Sequence, residues 1–186
     1  MSRAVTVPPV QEPISLFEAK DHLRVSVDDE DLLIYSLIKA ARKKIESDCN
    51  RYLITQTVEI YFDRFPRGIM NLGIPIQSVQ LIHYIDASAQ PQTLPTSDYS
   101  VDERSVIGRV ATSVGWPATS AMLKVVTVTV IAGYGDSKAV PENIKHALLL
   151  LVGHLFENRE MTSERALKVV PMAYEFLIEG ERVPNL

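Results

Sequence analysis

The 186 residues carry 19 Lys and Arg against 23 Asp and Glu, a formal net charge of −4, and 46% of them are hydrophobic. That balance offers no overall attraction to a nucleic-acid backbone, and the length suits one domain or one core carrying an inserted lobe. Cys49 is the only cysteine, which excludes an intramolecular disulfide and any multi-thiolate zinc site within the chain.

Residues 1–13 contain three prolines and no basic start followed by an apolar core, so they read as a flexible N-terminal arm and not as a signal peptide. Ser15-Leu16-Phe17-Glu18 has the form of a capping box, in which the hydroxyl and the carboxylate each satisfy the other residue's backbone N–H, and it predicts a short helix to about Leu23. The acids from Asp28 to Asp31 suit the start of a second helix, where negative charge meets exposed N–H groups. Beyond them Leu33, Ile34, Leu37, Ile38, Ala41, Ile45 and Cys49 recur at spacings of three and four, one apolar face of a helix with Cys49 as a small core residue. Arg42-Lys43-Lys44 is a compact basic cluster, but Glu46 and Asp48 follow within a turn, which favours a solvated face or a salt bridge between subunits over DNA contact.

From 54 to 136 the period changes to two. Val58, Ile60 and Phe62 alternate with polar neighbours, Val79, Leu81, His83 and Ile85 share a parity, and prolines and glycines punctuate the segment, predicting a β-rich insertion of short antiparallel strands. Trp116, the only tryptophan, lies in loop-like sequence, where it either closes this lobe or anchors a protein interface.

Helical spacing returns at Pro141, expected at the first helical position, and runs through Ile144, Ala147, Leu148, Leu151, Val152 and Leu155. Leu149, Leu150 and Phe156 widen this face into a long apolar helix that a core or another chain must enclose. The run is well short of the roughly 18 apolar residues of a membrane span, so no membrane partner is expected. A short last helix over about Pro171–Ile178 precedes a tail at 179–186. The fold class expected is therefore α+β, mainly α: a small helical bundle over 14–53 and 137–178 with an inserted antiparallel β lobe.

Gly133 and Gly135 join a strand to a helix, the setting of nucleotide sites. A dinucleotide fingerprint needs a third glycine where Lys138 stands, and no phosphate-binding P-loop motif occurs, so the pair reads as a structural turn with glycine supplying positive φ. A small nucleotide-binding or hydrolytic enzyme using this loop, or a DNA-packaging or regulatory factor, is the alternative. His22, His83, His146 and His154 have no spacing that completes a metal site; His154 with Glu157 is half of a di-iron motif whose second copy is missing. With no G-x-S-x-G elbow either, the chain shows no catalytic, cofactor-binding or metal residues and is not expected to be an enzyme.

The ordered segments "ISLFEAKDHLRVSVDDEDLLIYSLIKAARKKIESDCNRYLITQT", "FPRGIMNLGIPIQSVQLIHYID", "SDYSVD", "GWP", "VTVTVIAGYGD", "VPENIKHALLLLVGHLFENRE" and "VPMAYEFL" together resemble the phage head-tail connector (adaptor) family, over about Ile14 to Leu177. The resemblance implies a structural subunit of a virion, assembled in the host cytoplasm, for a phage, a prophage or a related particle. Such subunits form a ring of about twelve copies on the portal, meeting through two different patches, and extend the DNA channel toward the next head-completion or tail protein. DNA would only pass through. The resemblance also implies attachment to the portal through the carboxy-terminal segment, where Glu175, Phe176, Leu177 and Ile178 are available, alongside Trp116, Leu149 and Phe156 as further interface candidates.

Overall fold

The computed structural model describes residues 1–158 and 172–184. Part of the expected helical body, 159–171 with Pro171, and the tail's end, Asn185 and Leu186, lie outside the described residues. In chain order the elements are β1 (Ser2–Val7), α1 (Leu16–Leu23), α2 (Asp31–Cys49), β2 (Gln56–Phe62), β3 (Met70–Asn71), β4 (Ser78–Ile85), β5 (Pro91–Thr93), β6 (Tyr99–Asp102), β7 (Arg109–Thr112), β8 (Val126–Ala132), α3 (Glu142–Glu157) and α4 (Met172–Ile178). They form two compact units, one of Met1–Pro9, Thr55–Tyr134 and 183–184, the other of Val10–Ile54, 135–158 and 172–182.

In the helical unit α1 starts at the capping box. Glu18 N–H donates to Ser15 Oγ (3.1 Å) and Ser15 N–H donates to the Glu18 carboxylate (2.6 Å), bonds that hold that carboxyl below its ordinary pKa. The helix stops at Arg24, which takes the left-handed conformation (φ 56°). α2 has no side-chain cap, and Lys20 bridges Asp28 (2.7 Å) and Asp31 (2.6 Å) just ahead of it. Its buried face is Ile34, Ile38, Ala41, Arg42, Ile45 and Cys49. Burial pushes the Cys49 thiol up to about 11. Pro141 has ψ 142° and lies one position before the expected one, as the N-cap of α3, its carbonyl accepting from Ile144 and Lys145. α3 packs on α1, α2 and α4.

The β unit holds two antiparallel sheets, ordered β1-β2-β8-β4-β5 and β3-β7-β6. β2 and β8 obey the two-residue period: Gln56, Val58 and Ile60 face inward, opposite Ala132, Val130 and Val128. β4 breaks it. Val79 pairs with Val130 and Ile82 with Val128, so one extra residue, Gln80, is bulged out between them. The bulge moves the inward face from odd to even positions, and Ile82 is the buried residue of this strand while Leu81 and His83 face the other way.

Three expectations need correction. The mainly α bundle is overturned, because alongside its four helices the described chain builds a five-stranded and a three-stranded sheet. Short strands of two to eight residues leave weak periodicity in sequence, while two long helical runs are conspicuous, so pattern alone underweights the β unit. The apolar helix is also narrower than expected: α3 spans 16 residues, buries Ile144, Ala147, Leu148, Leu151 and Val152 along one face, and is not enclosed all round. Lastly, the segment expected to be a flexible arm contains β1, paired with β2 from Ser2 opposite Tyr61 to Val7 opposite Thr57.

Candidate assembly interface

The carboxy-terminal candidates divide between core and surface. Tyr174 and Ile178 are the inward residues of α4; Ile178 is 0% exposed, so it belongs to the core and is not available to a partner. The buried Tyr174 hydroxyl donates to an Asp48 carboxylate oxygen (2.7 Å), and burial, with that carboxylate beside it, raises its pKa. Asn143 Nδ2 donates to the Leu177 carbonyl (3.0 Å), and Arg51 pairs with Glu181 (2.6 Å) just past the helix. α4 is thereby fixed to α2 and α3 by polar contacts, and it packs on α3. Its outer side carries Met172, Glu175 and Phe176; Glu175 pairs with Arg182, and the Phe176 ring is 79% exposed.

Leu149 and Phe156 are half-buried on α3, in the same helical unit. Trp116 belongs to the β unit, where its ring stacks on Phe65 at 4.8 Å and 9° and its Nε1 donates to the Gly68 carbonyl (2.7 Å). Phe65 in turn meets Tyr84 edge-on at 5.6 Å. The indole thus ties the 113–120 loop to the 66–69 loop.

The turn at Gly133 and Gly135 has φ of 122° and 138°, values that a side chain opposes. The backbone N–H groups of Lys138 and Ala139 donate to the Asp136 carboxylate (3.0 and 3.1 Å), and Gln77 Nε2 donates to the Gly133 carbonyl (2.9 Å). A resident carboxylate occupies the donors and repels a second anion. An open groove of about 400 Å³ beside α1 is lined by Leu16, Phe17, Lys20, Asp21, Val25, Ser26 and Asp31, but the Lys20 ammonium in it is already shared by two carboxylates.

The basic cluster on α2 is dismantled by the fold. Arg42 is buried (8% of its side chain exposed), donating to Glu12 (2.7 Å) and Glu46 (2.9 Å), and Lys44 pairs with Asp48 (2.5 Å). Glu46 and Asp48, four residues on, are legible partners. Glu12, thirty residues earlier in a proline-rich stretch, has no sequence signal at all. Periodicity likewise does not reveal that Phe17, Leu32 and Met172 stand exposed.

A profile for the head completion protein family matches residues 12–168. No curated protein sequence matches the chain. Among solved structures, the chain is similar to one from the neck of an empty gene transfer agent particle computed with C6 symmetry (TM-score 0.81, 18% identity) and one from a native gene transfer agent virion (TM-score 0.83, 19% identity). A third, from the neck of the native particle computed with C12 symmetry, has TM-score 0.81 and 19% identity; each alignment covers 100% of this chain and 97% of the other. At such identities the structures establish a shared fold, helical and β units together, while the family profile spans α1 through α3 in sequence: the chain belongs to the head completion protein family.

Proposed function

We propose that the protein is a structural subunit of the head-tail connector of a tailed phage or a phage-derived particle. It forms a ring of about twelve copies below the portal, which extends the DNA channel and receives the next head-completion or tail protein. The observation that carries this reading is the family match across residues 12–168. The end-to-end likeness of fold to proteins from particle necks supports it. The role is structural and not catalytic, and the subunit works within the virion after assembly in the host cytoplasm.

Attachment to the portal runs through the outer side of α4, with Phe176 as anchor and Glu175 and Leu177 beside it. Leu149, Phe156 and Trp116 remain candidates for contacts between subunits. Electron microscopy of the purified protein, alone and with its portal, tests the assembly and should show annular particles; a strict monomer at high concentration that also ignores the portal would refute it. Phe176→Asp should leave the melting temperature unchanged and weaken portal binding by at least about tenfold, the scale of an aromatic anchor. Unchanged binding would remove α4 from the interface.

A further inference from the structure

β1 is a strand with no fully buried side chain. All six residues of Ser2–Val7 are exposed although the strand is paired with β2 along its length. The contacts that hold it include the backbone ladder, Thr6 Oγ1 donating to the Thr57 carbonyl (3.3 Å), and Met1, which lies over Gly73 where a Cβ would come within 2.5 Å of its methyl group. None of these contacts requires β1 and β2 to belong to one chain.

The segment that follows, Pro8-Pro9-Val10-Gln11-Glu12-Pro13, has no regular structure, and Val10 in its middle is 95% exposed. Its prolines favour an extended spacer of about 3.1 Å per residue over a compact turn. It is anchored at Glu12, whose side chain is 7% exposed against Arg42. Residues 8–11 thus lie between a buried ion pair and a strand with no buried side chain. The opposite edge of the same sheet differs: β5 has three residues and opens with Pro91, features that protect an edge from further pairing.

We infer that Ser2–Val7 is an exchangeable arm that, in the assembled ring, pairs with the Gln56–Phe62 edge of a neighbouring copy in the register seen here, Ala4 opposite Glu59 and Val5 opposite Val58. The inference rests on the ring assembly proposed above. Exchanging identical contacts costs little, and a head-to-tail exchange closes a ring, each copy giving an arm and receiving one. In a free subunit the tether keeps the arm's local concentration high, so the intrachain pairing of this structure is the closed form.

The double variant Ala4→Cys/Glu59→Cys tests it in the full-length protein, because paired strand positions lie within disulfide range and the buried Cys49 does not compete. Oxidised when dilute, it should give a monomer with an internal disulfide. Oxidised after assembly on the portal, the monomer band should be lost to a ladder of covalent multimers on non-reducing gels. Rings by microscopy with only internal disulfides overturn the exchange and leave the ring intact; absence of rings in every condition, with internal disulfides only, overturns both. If the first pair misfolds, Ser2→Cys/Tyr61→Cys, which are also opposed, asks the same question with the same outcomes.

Discussion

Arg42 shows how much one side chain can carry. Its guanidinium lies between two carboxylates, Glu12 and Glu46, whose side chains are almost as buried as its own. Truncation to alanine leaves two buried like charges facing each other, and Arg42→Ala should destabilise the protein by about 3–5 kcal/mol in chemical denaturation, as for a broken buried pair. A loss below about 1 kcal/mol, the level of a surface pair, would show the cluster to be solvated. Gly135 tests backbone geometry: a Cβ there meets the Ala139 Cβ at 3.1 Å in addition to the strain of φ 138°. Gly135→Val should cost roughly 1–3 kcal/mol of stability. An unchanged melting temperature would show that the turn tolerates a side chain.

At the scale of the element, α1 is the clearest link from sequence to structure. The four residues Ser15 to Glu18 predict the capping box, and both of its hydrogen bonds are present. Ser15→Ala removes an acceptor for Glu18 N–H and should cost about 1 kcal/mol. The carboxyl of Glu18 sits below its ordinary value of 4.5 when folded, chiefly through the Ser15 backbone N–H and then the hydroxyl. A depressed folded pKa means stability that is present above the unfolded value and lost as pH falls through the folded one. The difference between wild type and Ser15→Ala should thus be largest at neutral pH and shrink below about pH 4.5, measured by thermal melts across that range. A gap that stays constant into acid would argue that the hydroxyl acts without the carboxylate. α4 and β4 were less legible. The short α4 follows an apolar spacing from which Ile178 and Phe176 look equally available, and only tertiary packing, chiefly on α3, separates buried from exposed. In β4 a single bulged residue reverses the parity of everything after it.

At the scale of the whole molecule, charge is distributed unevenly. The β unit is neutral, so the net charge of −4 lies in the rest of the chain. A net negative charge opposes gripping of DNA, as the proposed channel role requires. Binding to duplex DNA should be undetectable at moderate ionic strength and should not strengthen steeply as salt is lowered; a steep inverse dependence on salt would reveal phosphate contacts that the overall charge conceals. The change of period near 54 and 136 lies beside the limits of the long β segment at Thr55 and Tyr134. What was missed was the weight of the β unit, to which the first nine residues also belong.

The sequence by itself determined the local features: the capping box at Ser15, the buried stripe of α2 down to Cys49, the alternation of β2 and the positive-φ glycines after β8. Each depends on residues within a few positions of one another, where spacing records which side of an element is apolar. The tertiary structure alone decided that Glu12 meets Arg42, that Ser2–Val7 adds a strand to β2, that Gln80 shifts the face of β4, and that Phe176 faces out while Ile178 faces in. Those outcomes join residues far apart in the chain and depend on which surfaces pack together. Hydrophobic periodicity carries no record of the partner, because burial is non-directional.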